Sequence, residues 1–89
     1  MDIIKKDLEF FIGDENDKKA YISFIKNNNL ITIEHTVIID NSLKGKGIGS
    51  GLVKEVIKFA RENNYKVNAT CWFADEILKR EEYSDIYSK

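Results

Sequence analysis

Cysteine and histidine are nearly absent from this 89-residue chain, which has one of each, Cys71 and His35. A single cysteine excludes an internal disulfide, and one cysteine with one histidine makes a zinc cluster unexpected. No metal is expected. Net charge is scarce too: 14 basic and 15 acidic residues leave −1. The basic residues are spread along the chain, so there is no nucleic-acid footprint and no such partner is expected. Long apolar runs are missing, none approaching the roughly 18 residues of a membrane span. The N-terminus, with Asp2, Lys5, Lys6 and Asp7, lacks the apolar core of a signal peptide. A cytoplasmic protein without a membrane partner is expected. Repeats, low-complexity stretches and linkers are also lacking, so residues 1–89 read as one domain. Its 43% hydrophobic and 33% charged content is that of a globular protein. A chain of this size buries somewhat over ~60% of its unfolded surface, enough for one modest core.

Glycine is sparse as well, which makes its placement informative. Four of the five glycines fall in Lys44-Gly45-Lys46-Gly47-Ile48-Gly49-Ser50-Gly51. A β-branched apolar run, residues 31–39, precedes this segment and a helical pattern follows it. Glycines between a strand and a helix remove Cβ atoms where a backbone turns sharply or approaches a ligand. The helix then aims its free N–H groups at the same place, which suits a phosphate. A flexible connector is the plainer alternative.

Periodicity supplies the surroundings. Leu8, Phe10 and Ile12 alternate with Glu9 and Phe11, predicting a first strand, and residues 13–17 are a turn signal. Ala20, Ile22 and Phe24 alternate with Tyr21, Ser23 and Ile25 in a second strand. Asn27-Asn28-Asn29 gives another turn, and a third strand spans about 30–39. These three strands predict an antiparallel meander. From Ile48 the period becomes helical, with Ile48, Leu52, Val53, Val56, Phe59 and Ala60 on one face. Lys54, Glu55, Lys58, Arg61 and Glu62 take the other. Asn63-Asn64 ends the helix, residues 65–71 form a fourth strand, and Phe73, Ala74, Ile77 and Leu78 mark a short second helix. Tyr83, Ile86 and Tyr87 form an aromatic tail. Strand three, the long helix and strand four make a β-α-β unit, so those two strands should be parallel with a right-handed crossover. The fold class is α+β. Ligands of open α/β sheets bind beyond the carboxyl ends of parallel strands, where the glycine turn and Cys71 converge.

Two phosphate loops can be eliminated by spacing. G-x-G-x-x-G fails because its third glycine would fall on Ser50 or Leu52. The P-loop fails because Lys46 is followed by Gly47 and no glycine stands five residues before Gly45. A basic residue, two positions, Gly47, Ile48 and Gly49 remain. This resembles the Q/R-x-x-G-x-G/A acetyl-coenzyme A motif of the GNAT acetyltransferase superfamily. Glu34-His35-Thr36, the glycine turn, Ala60-Arg61-Glu62-Asn63 and Thr70-Cys71-Trp72-Phe73, in that order, are similar to a small GNAT-like family of about 90–110 residues related to bacterial YjdJ.

The resemblance covers nearly the whole chain and implies a minimal GNAT-like, acetyl-CoA-binding domain whose two parallel strands splay to admit the pantetheine arm. It implies cofactor contacts at Ile38, Ile39, Lys44, Gly45, Lys46, Gly47, Ile48, Gly49, Ser50 and Phe73, with Cys71 and His35 as catalytic residues. Lys44 departs from the usual Arg or Gln, keeping the charge but losing the planar fork. Trp72 stands where Pro or a small residue is expected. One residue more than usual separates His35 from the glycine turn, so a bulge there would re-aim His35. The N-terminal helices that shape the acceptor site of larger GNAT domains have no counterpart.

Cys71, expected near the N-cap of the second helix, is read either as an acyl-accepting nucleophile or thioester-pocket lining, or as a small buried hydrophobe. His35 shares parity with Ile31, Ile33 and Val37 and is read either as a core residue or as the general base, histidine's ordinary pKa near ~6.5 suiting the latter. Glu34, on the opposite face, is the reserve base or a solvated carboxylate. Lys44 and Lys46 supply charge for phosphates or are plain loop lysines. Tyr83 and Tyr87 could protonate the leaving thiolate or cover a core edge. Trp72 is packing or a lid over the acyl pocket. The expected function is an acetyl-CoA-dependent acyltransferase with an unidentified amine or thiol acceptor. The alternatives are a non-catalytic CoA-binding sensor or partner module, and a small fold that binds no nucleotide.

Overall fold

The computed structural model describes residues 2–88. Five strands form one sheet in sequence order: β1 (Ile4–Lys6), β2 (Glu9–Asp14), β3 (Asp17–Asn27), β4 (Leu30–Ile38) and β5 (Lys66–Ala69). The first four are antiparallel and β5 runs parallel to β4. Between them lies α1 (Ile48–Glu62), and α2 (Trp72–Leu78) follows β5. The α+β class and the β-α-β unit are as the periodicity predicts.

Two boundaries are corrected. The meander has four strands, not three, because the short, fully exposed β1 pairs with β2. A three-residue edge strand without a buried face leaves no alternation to read. Leu8 falls in the turn between them, where Asp7 takes a φ of 53°, and not in the strand. At the other end β5 stops at Ala69. The Thr70 and Cys71 amides both donate to the Ile33 carbonyl, at 3.0 and 3.4 Å, and the chain then turns into α2.

One face of the sheet is covered. Phe10, Ile12, Ile22, Phe24, Ile31 and Ile33 pack against Leu52, Val53, Val56 and Ile57 of α1. Fully burying each such side chain is worth roughly 1.5–3 kcal/mol. Phe59 closes the lower edge, its ring 6.0–6.2 Å from those of Phe10, Phe24 and Tyr65. Asn63 ends α1 by donating its side-chain amide to the Phe59 carbonyl at 2.8 Å, and Asn64 then takes the left-handed conformation, φ 61°. The tail runs beside β5, with Val67 N–H donating to the Ile86 carbonyl and Ser88 N–H to that of Val67. No helix among the described residues is long and apolar enough to cross a membrane.

The β3–β4 ladder carries the irregularity that matters for the site. Ser23 pairs with His35, but Phe24 pairs with Ile33, so Glu34 is an extra residue on β4. A bulge of this kind inverts the parity of every residue beyond it. Ile31 and Ile33 face the core. After the bulge Thr36 and Ile38 take over that face, opposite Ile22 and Ala20. His35 is turned to the other side and is exposed. The expectation that it shares a face with Ile31 and Ile33 is therefore corrected. The bulge precedes His35; it does not lie between His35 and the glycine turn.

Candidate functional site

The connection from β4 to α1 is built from local hydrogen bonds and two left-handed glycines. Asp40 accepts from the Ser42 amide (2.9 Å) and hydroxyl (2.8 Å), capping a 3-10 turn, Asn41–Leu43. Those two bonds hold its carboxyl below the usual carboxylate range, helped by the charges of Lys19 and Lys46. Leu43 is buried and anchors the loop to the core. Gly45 (φ 77°) and Gly47 (φ 74°) then swing the chain into α1. For a residue with a Cβ this conformation costs about 1–2 kcal/mol.

Gly47 is the N-cap of α1 and has no side chain to satisfy the helix's amides. The first intrahelical donor at this end is Gly51, whose N–H reaches the Gly47 carbonyl at 3.0 Å. The amides of Ile48, Gly49 and Ser50 are therefore available, and no acidic residue stands in the first turn. They border a cleft of about 320 Å³. Lys44, Gly45 and Gly47 line it from the loop, Leu43 from the 3-10 turn, Thr36 and Ile38 from β4, and Phe73 from α2.

The strand wall of this cleft is a free edge. β4 pairs with β5 only from Leu30↔Lys66 to Ile33↔Ala69, and beyond that point the two chains part. On its other side β4 still pairs with β3, and the Ile39 amide donates to the Lys19 carbonyl at 2.8 Å. In an antiparallel ladder the backbone groups of alternate residues point to opposite sides. The amides and carbonyls of Thr36 and Ile38 therefore point away from β3, into the opening. Such unpaired groups are a template for an extended, amide-bearing ligand.

Eight of the ten expected cofactor residues line the cleft: Ile38, Lys44, Gly45, Gly47, Ile48, Gly49, Ser50 and Phe73. Ile39 does not; it is 54% exposed and its amide is engaged by Lys19. Lys46 is exposed, off the lining, and lies in the field of the Asp40 carboxylate. Cys71 is the N-cap of α2, half-buried, with its thiol donating to Thr36 Oγ1 at 3.7 Å. The residue brought against the thiol is thus Thr36, while His35 points from the opposite face of the sheet. Tyr83 is buried beneath the Arg61 guanidinium, 5.6 Å from its ring. The Tyr87 hydroxyl donates to Asp75 Oδ1 at 2.7 Å, an interaction that holds the phenol above its usual range. Neither tyrosine lines the cleft. Trp72 is 76% exposed and does not cover the cleft.

Thr36 and Leu43 are the lining residues that periodicity does not find. Thr36 reaches the cleft only because of the bulge before it. Leu43, an isolated apolar residue between polar turn residues, was the one available signal for a buried loop anchor. Among the described residues no three His, Cys, Asp or Glu side chains are placed to share a metal ion.

Comparison with known proteins bears on this geometry. A family model for GCN5-related N-acetyl-transferases matches residues 9–86. The solution structure of a GCN5-like protein from Staphylococcus aureus superposes with a TM-score of 0.80 at 42% identity, over 98% of this chain and 87% of that one. A GNAT-family protein from Desulfovibrio desulfuricans shares the fold at 15% identity and a TM-score of 0.58, over 68% of this chain and 41% of that one. No curated protein matches the sequence.

Proposed function

Because the chain belongs to the GCN5-related N-acetyltransferase family, we propose that the cleft at the head of α1 binds acetyl-CoA and that the protein transfers the acetyl group to an amine. The observation that carries this reading is the meeting of two unfilled hydrogen-bonding surfaces in one cleft, the uncapped amides of Ile48, Gly49 and Ser50 and the free β4 edge at Thr36 and Ile38. Helix N-terminal amides favour an anion, and Lys44 adds a positive charge beside them, which suits a pyrophosphate. The β4 edge suits the two amides of a pantetheine arm, which would lie along it as an added strand.

With the pyrophosphate at α1, an arm running back along β4 carries its thioester toward Glu34 and the point where β5 departs. There the acceptor nitrogen attacks the thioester carbonyl carbon. The carbon–sulfur bond breaks, CoA leaves as a thiolate, and the amine proton passes to a base. His35, on the uncovered face of the sheet, is the proposed base for an acceptor that approaches from that face. In a variant of this route the Cys71 sulfur, which lies 3.7 Å from Thr36 Oγ1, attacks the thioester first, its proton passing to the departing CoA thiolate, and the amine then displaces the acetyl group from Cys71.

The separation of His35 from Cys71 by the thickness of the sheet favours a second reading, a CoA-binding module without a reaction of its own. One experiment orders these readings. CoA is titrated into ¹⁵N-labelled protein while the amides of Gly45 to Ser50, Thr36 and Ile38 are followed, and acetyl transfer to a panel of amines is then assayed. Shifts at those amides with transfer support the enzyme, and shifts without transfer support the module. Unmoved amides overturn both.

A further inference from the structure

Gly49 differs from the other glycines of the run in what surrounds it. A Cβ there would lie 3.0 Å from both Cε2 and Cζ of Phe73 and 3.7 Å from Thr36 Cγ2, whereas one at Gly45, Gly47 or Gly51 would meet nothing within 4 Å. The edge of the Phe73 ring therefore rests on the bare Cα of Gly49, bridging α2 to α1 across the opening. Thr36 flanks the same contact from β4.

This bridge marks one end of the cleft. Thr36 and Phe73 line it and Cys71 does not, although the Cys71 thiol is only 3.7 Å from Thr36 Oγ1. The open β4 edge continues past Thr36 to the bulge at Glu34. From Ile38 to Glu34 is four residues, about 13 Å of extended strand. A ligand arm laid along that edge from the α1 amides must pass the place where the ring sits. Phe73 has little to keep it there: it is 38% exposed and stands outside the buried core cluster, on the first turn of a seven-residue helix. Lifting the ring off Gly49 would not draw on the buried core cluster, to which Phe73 does not belong.

We infer that Phe73 is a movable gate, whose ring closes the cleft against Gly49 and leaves it to let the acylated arm reach Cys71 and the Glu34 bulge. The role of the arm rests on the coenzyme A reading above; closure of the passage to Cys71 does not. Glycine at position 49 is then needed for more than amide access. It gives the closed ring a seat.

A gate that must open lowers apparent rates and affinities by the fraction of time it is open. Phe73→Ala removes it, and Phe73→Trp makes it larger. Alkylation of Cys71 by iodoacetamide, in protein without ligand, should be about tenfold faster in Phe73→Ala and slower than wild type in Phe73→Trp. Stopped-flow association of CoA should change in the same order. Wild-type alkylation rates in both variants would overturn the gate. Ordered alkylation rates with no CoA binding to any of the three proteins would keep the gate and overturn the coenzyme A reading instead. Unaltered amide spectra outside the cleft check that each variant is folded.

Discussion

Ser23 faces His35 across the β3–β4 ladder, although Phe24, the next residue on β3, faces Ile33. The bulged Glu34 between them decides which side chains of β4 meet the cleft. It gives the cleft Thr36 and Ile38 and sends His35 to the uncovered face. If His35 is the base, its partner is an acceptor on that face, not Cys71. His35→Ala should then leave CoA affinity unchanged and lower acetyl transfer by about 10²–10⁴-fold, read by CoA titration and by acetyl-transfer assay. Undiminished transfer by His35→Ala would assign the proton to another group.

How much of this was legible in the residues follows from the same bulge. Alternation in β2, β3 and the first half of β4, and the helical stripe of α1, report burial directly, and apart from Leu8 those elements stand where the pattern puts them. The Lys44-x-x-Gly47-x-Gly49 spacing located the cleft. Parity counting failed at Glu34 because a single extra residue inverts every later face without changing composition. Thr36 was hidden, and His35 misplaced, by that one residue. β1 and the end of β5 were illegible for another reason, since both are set by pairing with distant strands and by turns, not by a local pattern.

The glycines of the run should separate by conformation. Gly47→Ala keeps the left-handed φ of 74° and meets nothing within 4 Å, so its cost is strain alone. A loss of about 1–2 kcal/mol in urea unfolding is expected, together with weaker CoA binding. Gly51 lies inside α1 with open space around its missing Cβ. Gly51→Ala should stabilise the protein by roughly 0.5–1 kcal/mol. Equal effects at both positions would mean that conformation is not what distinguishes them.

Lys44 and Lys46 carry the same charge but should not contribute equally. Lys44 lines the cleft, while Lys46 is outside its lining and lies in the field of the Asp40 carboxylate. Calorimetry should find CoA affinity reduced about tenfold in Lys44→Ala and little changed in Lys46→Ala, with the Lys44 effect shrinking at high salt. Lys44→Arg should bind at least as tightly as wild type, because a guanidinium presents a fork to phosphate oxygens. A larger loss from Lys46→Ala would place the pyrophosphate elsewhere on the loop.

The Tyr87–Asp75 hydrogen bond ties the tail to α2, the helix that carries Phe73 and Cys71. It leaves opposite signatures at the two ends of the pH scale. Hydrogen bonding from Tyr87 and then Lys79 holds the Asp75 carboxyl below its ordinary range. Its contribution is therefore complete above the unfolded carboxylate value and is lost as pH falls through the lower, folded one. The Tyr87 phenol is raised, chiefly by its bond to Asp75. Its contribution is complete below the unfolded tyrosine value and disappears as pH rises through the higher, folded one. Tyr87→Phe should therefore lower the melting temperature at neutral pH, and the difference from wild type should narrow toward both the acidic and the strongly alkaline ends. Melting curves across that range check it. No difference at any pH would mean that the tail is held by packing of the Tyr87 ring and Ile86 and not by the hydroxyl's bond to the Asp75 carboxylate.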